Sequence, residues 1–82
     1  MKNQLIQKSI LRILNRLGHV ALRETTLASE VEIAIDRPLT SAEFADELRY
    51  LEDRDLIARD VDSFDETLWS ITGKGELALK GL

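Results

Sequence analysis

Ten carboxylates fall between Glu43 and Glu66, against three arginines. Acid–base catalysis would need one of them to carry a raised pKa, through burial or a crowded like charge, and all sit in solvent-facing patterns. Calcium binding would need a loop of fixed spacing. Asp60-x-Asp62 opens like one, but Phe64 occupies a ligand position, Asp65 stands where glycine is required, and Ile71 replaces the closing glutamate. His19 is the lone histidine and there is no cysteine, which excludes thiolate zinc sites and disulfides. Lying just past a helix end, His19 suits the negative end of that helix. Gly73-Lys74-Gly75 is too short for a phosphate loop, and no serine has a nucleophile-elbow context. The expectation is a protein without catalytic residues, metal, cofactor or small-molecule substrate.

Recognition remains. The net charge is −4, but it is unevenly spread. Residues 1–23 hold five Lys/Arg and no acid, a net of +5, while residues 24–82 hold six Lys/Arg against fifteen Asp/Glu, a net of −9. Lys8, Arg12 and Arg16 recur every four residues, so on a helix they form one basic stripe facing an acidic partner. An amphipathic basic N-terminus also has the pattern of a membrane-surface helix or transit peptide, but Ile6 to Leu17 are needed for the core of so small a domain. No apolar run approaches a membrane span, and the composition is that of a cytoplasmic globular protein.

The elements that position these charges are legible from periodicity. Ile6, Ile10, Ile13, Leu14 and Leu17 make one apolar stripe on a helix over 3–17, with Leu5 and Leu11 off its centre and Gly18 as its stop. A short strand over 20–23 follows. Thr25 or Thr26 is expected to cap a second helix whose buried side is Leu27, Val31, Ile33 and Ala34, ended by Arg37-Pro38. Thr40-Ser41-Ala42-Glu43 is a capping box that starts a third helix, with Phe44, Leu48 and Leu51 inward and Asp46, Arg49, Tyr50 and Asp53 outward. Residues 56–61 and 67–71 read as two strands joined by the turn-prone Asp62 to Glu66, with Trp69 and Ile71 on the core side. Thr72 opens a last short helix, which Gly73 and Gly75 weaken. One core of Ile10, Ile13, Leu14, Leu17, Leu27, Val31, Phe44, Leu48, Leu51, Ile57, Trp69 and Ile71 is expected, within a single domain over 1–82.

This order, helix, short strand, two helices, hairpin and helix, resembles a winged helix-turn-helix domain. The run LRYLEDRDLIARD is similar to the passage from third helix to first wing strand in MarR-like and PadR-like bacterial or phage regulators, and LWSITGKGELAL resembles their second wing strand and final helix. The resemblance implies an α+β fold: a three-helix core, a two- to three-stranded wing and a short C-terminal helix. It further implies a third helix that enters the DNA major groove, with Ser41, Glu43, Asp46, Glu47, Arg49, Tyr50 and Asp53 on the reading face and Asp62 to Glu66 at the wing tip.

The charges depart from that pattern. DNA affinity rests largely on Lys and Arg neutralising phosphates. Here Glu43, Asp46, Glu47 and Asp53 oppose Arg49 and Arg54, and residues 60–66 hold four acids and no base. The expected function is therefore a non-catalytic interaction module. It binds protein, either itself or a basic partner, through Glu43, Asp46, Arg49, Tyr50 and Asp53 of the third helix and Asp62, Phe64, Asp65 and Glu66 of the wing. Two copies would pair the basic stripe of one with the acidic wing of the other. The alternative is a small DNA-binding transcriptional regulator in which Arg49 reads guanine and Glu43 reads cytosine.

Overall fold

In the computed structural model, residues 3–18 and 20–81 are described. The elements are α1 (Gln4–Arg16), β1 (Leu22–Arg23), α2 (Glu24–Ile35), α3 (Ser41–Asp53), β2 (Ile57–Val61), β3 (Thr67–Ile71) and α4 (Gly73–Lys80). The strands form one antiparallel sheet in the order β1-β3-β2, with Leu22 opposite Trp69 and Arg59 opposite Trp69 on the other side. His19 lies outside the described residues. Among the described residues no helix is long and apolar enough to cross a membrane.

Helix α1 begins at Asn3, whose side chain accepts the N–H groups of Leu5 and Ile6 and so relieves two unpaired first-turn donors. It ends at Gly18 in the left-handed region, φ 67°, which glycine enters without steric cost. Helix α3 starts with the full capping box: Thr40 Oγ1 accepts the Glu43 N–H at 3.0 Å, and the Glu43 carboxylate accepts the Thr40 N–H.

Eleven of the twelve expected core residues are buried; the exception is Leu17, which is 39% exposed. It follows the last residue of α1, where the chain turns away, so helical phase no longer governs it. Leu11 is buried instead, though it stands off the centre of the apolar stripe. The cause is that α1 packs against α2, α3, β3 and α4 together, so a broader arc than one stripe is covered.

Two features of α2 also differ from expectation. Thr25 and Thr26 lie inside its first turn and do not cap it; β1 stays paired through Arg23 and the helix starts at once at Glu24. Glu24 sits at the positive end of the helix and accepts the Trp69 indole N–H at 2.8 Å, which fixes α2 to the sheet. Ile33 is 76% exposed and Ala34 is exposed, while Ala28 and Ile35 pack on the core. Two residues beyond Val31 means a turn of about 200°, which points Ile33 away from the core.

Gly75 is a position where glycine is needed for space. It is buried, and a Cβ there would overlap the Leu56 carbonyl oxygen and come within 2.8 Å of Ile71 Cγ1. Together with Thr72, whose hydroxyl donates to the Asp55 carbonyl at 2.7 Å and accepts the Gly75 N–H, it seats α4 against the start of the wing.

Candidate functional site

Two elements project the candidate residues: the outer side of α3 and the β2–β3 wing. On α3, Phe44, Leu48 and Leu51 are buried and set the phase. Asp46, Arg49 and Asp53 are exposed on the outer side, as their spacing requires.

Glu47 does not join them. It is 2% exposed. One carboxylate oxygen accepts the backbone N–H of Asn3 and the other accepts the Gln7 side-chain amide, both at 2.8 Å. A buried carboxylate without such donors would be very costly; with them, Glu47 ties α3 to the start of α1. The sequence does hold a signal for this. Glu47 is three residues after Phe44 and four before Leu51, so it lies on the core arc of the helix.

Glu43 is also engaged. Arg37, just past α2, meets it with two nitrogens, at 2.8 and 3.2 Å. That side-chain hydrogen bonding holds the Glu43 carboxyl below its ordinary pKa, helped by the Thr40 N–H and by the charge of Arg37. The same pair raises the pKa of Arg37 further. Glu52 pairs with Arg59 of β2 at 3.2 Å. That ion pair links α3 to the wing, with the Arg59 guanidinium 5.8 Å from the Trp69 ring centroid. Tyr50 turns to the α1 side of α3, where it is half-buried under the Arg54 guanidinium, 4.3 Å from the ring centroid.

With these partners counted, Asp46 and Asp53 stand against Arg49 on the outer side of α3, while Arg54 lies with Tyr50 at the groove beside α1. The acidic count of the sequence overstates the field at this helix, because Glu43 and Glu52 each meet an arginine from outside α3 and Glu47 is withdrawn into the core.

The wing differs. Its turn is ordered by Asp62, whose Oδ1 accepts the N–H groups of Phe64 at 2.8 Å and Glu66 at 3.0 Å. Asp65 occupies the left-handed region at φ 62°, which a short polar side chain tolerates. Glu66 is paired with Arg23 of β1 at 2.9 Å. Among the described residues no cation pairs with Asp60, Asp62 or Asp65. Phe64 is 80% exposed at the tip.

The basic residues lie elsewhere. Arg12 and Arg16 are exposed on α1 and Lys8 is half-buried beside a groove between α1, α3 and α4. The described residues contain no cluster of three or more His, Asp or Glu arranged to hold a metal ion.

This arrangement, three helices followed by a hairpin wing with a strand of the same sheet between α1 and α2, is the winged helix-turn-helix fold. The same fold occurs in MarR-family regulators. RosR of H. salinarum superposes with a TM-score of 0.79 at 19% identity, over 93% of this chain and 66% of that one. A MarR-family transcriptional regulator from Silicibacter pomeroyi gives 0.76 at 18% identity, over 93% and 47%. A winged-helix DNA-binding protein from STIV gives 0.80 at 19% identity, over 96% and 84%. The chain thus spans about two thirds of the first of these proteins and about half of the second. No family model and no curated protein matches the sequence.

Proposed function

We propose that this chain is a winged-helix DNA-binding module of transcription-regulator type that presents α3 to the major groove. The outer side of α3 carries this reading: it is exposed, and three of the acids of the helix, Glu43, Glu52 and Glu47, are paired or withdrawn. Two of the similar structures described above are a transcriptional regulator and a DNA-binding protein, which supports it. It reverses the preference drawn from charge in the sequence. Arg49 is the guanine reader. Glu43, held by Arg37, is replaced by exposed Asp46 as the acceptor for a cytosine amino group. Asp46 and Arg49 are three residues apart, so both reach the same or adjacent base pairs. In this reading the protein acts in the cytoplasm and has no enzymatic activity.

Few free cations surround α3, so few phosphates are neutralised. The expected slope of log affinity against log salt is only about −2 to −3. Selection from a randomised duplex pool, followed by anisotropy titration at several salt concentrations, tests the proposal. Enrichment of a G·C-containing site that Arg49→Ala abolishes is the expected result. A pool without any enriched sequence would overturn it.

The wing favours a second reading for that element, contact with protein, because among the described residues no cation pairs with Asp60, Asp62 or Asp65 around an exposed Phe64. Titration with a short lysine- and leucine-containing peptide, followed through the NMR signals of residues 60–66, tests it. Shifts confined to the wing are expected, and an unchanged spectrum would refute contact of this kind.

A further inference from the structure

The groove between α1, α3 and α4 has a volume of about 210 Å³ and an apolar floor of Leu11, Leu51, Leu56 and Ala78. Lys8 and Arg54 stand on its rim, and Arg12 is one turn further along α1. Among the described residues none of these three cations pairs with a carboxylate. The groove thus combines an apolar slot with uncompensated positive charge. The wing tip has the complementary features: an 80% exposed aromatic ring flanked by uncompensated acids.

We infer that the wing tip of one copy docks in the α1–α3–α4 groove of a second copy. Phe64 fills the slot over Leu11 and Leu51, while Asp62 and Asp65 meet Lys8, Arg12 and Arg54. A chain cannot make this contact with itself. The groove includes Leu56, at the base of the wing, and the five residues of β2 carry the tip about 16 Å away. The tip is also ready to dock, because Asp62 already holds its turn by two hydrogen bonds and little ordering is left for binding. Phe64 supplies the buried centre, and the charges orient the approach. A two-fold arrangement makes the contact twice and closes; a head-to-tail arrangement repeats it along a row of copies. The inference rests on the protein-contact reading of the wing and is independent of DNA binding by α3. The peptide titration tests that reading without reference to self-association, so the two fail separately.

Sedimentation velocity on the full chain is the test, at roughly 100 µM protein, where association with a dissociation constant of tens of micromolar is visible. Association is expected at roughly 50 mM salt and should decline at roughly 500 mM. Phe64→Ala should weaken it at least about tenfold, and Lys8→Glu should weaken it as well. Both positions are outside the core, and circular dichroism melts verify that the variants stay folded. Mixing the two variants is the decisive arm. Lys8→Glu keeps an intact tip and Phe64→Ala keeps an intact groove, so mixing restores a head-to-tail contact in full, and a closed two-fold pair, with one intact and one doubly altered contact, should still exceed the weaker variant. A parent chain that is monomeric at low salt would overturn the inference, as would association indifferent to both substitutions or a mixture no stronger than the weaker variant.

Discussion

Helix α3 and the wing handle negative charge in opposite ways. Glu43, Glu47 and Glu52 each find a partner supplied by another element: Arg37 beyond α2, Asn3 and Gln7 at the start of α1, and Arg59 on β2. Among the described residues, the wing acid with a cationic partner is Glu66, paired with Arg23. The difference follows from position. A helix packed in the middle of a small domain has neighbours on both flanks, and their cations and amides reach its edges. A projecting hairpin has neighbours only at its base, so the acids of its tip face solvent. A count of acids therefore reports the field around the wing faithfully and misreports it around α3.

Four measurements test the contrast between helix and wing. The largest effect is expected from packing. Leu48→Ala should lower unfolding stability by about 2–5 kcal/mol, whereas Phe64→Ala should change it by no more than about 0.5 kcal/mol; urea denaturation compares them. Equal losses would mean that the tip of the wing is part of the core.

Within α3, Glu47→Ala should cost about 1–3 kcal/mol, because the Asn3 N–H and the Gln7 amide lose their acceptor. Asp46→Ala, at an exposed position one residue earlier, should stay within about 0.5 kcal/mol. Similar values for the two would contradict the withdrawal of Glu47 from the outer side.

For DNA, Arg49→Ala should reduce discrimination at one base pair by about 1–3 kcal/mol in anisotropy competition. Neutralising the wing with Asp65→Asn should leave that discrimination intact. A reversed ranking would move the reading role from helix to wing.

The smallest effect concerns pH. The Arg37 hydrogen bonds lower the pKa of Glu43 in the folded protein. The pair therefore adds stability above the ordinary value of 4.5, and that stability is lost as pH falls through the lowered folded value. Denaturation midpoints of the parent and Glu43→Gln should differ most at neutral pH and converge in acid. A gap that widens in acid would have the wrong sign. The pair is solvent-exposed, so the shift should be modest.

The elements were readable because their signals are local. The capping box at Thr40–Glu43, the stop at Gly18, the strand alternation ending at Trp69 and Ile71, and the Asp62 turn each depend on residues a few positions apart. Other misplacements, beside the local phase of Ile33, occur where distant segments meet. Leu11 is buried because α3 and α4 close over α1, Leu17 is exposed because no element covers the end of α1, and Tyr50 is drawn toward the groove beside Arg54. Gly75 looked like a weakness of a short helix; its lack of a side chain is what admits the Leu56 carbonyl.

By itself, then, the sequence determined the order of elements, most of the core and the sign of the charge at the wing tip, because helix and strand periods and turn chemistry act over a few residues. That Glu43 and Glu52 are paired, and which groups hold the buried Glu47, depends on the packing of the fold. Their partners come from three separate places in the chain: Arg37 past α2, Asn3 and Gln7 at the start of α1, and Arg59 on β2. Pairing across such distances depends on how the helices pack, and a charge that is paired or buried no longer presents to a partner the field its residue type suggests.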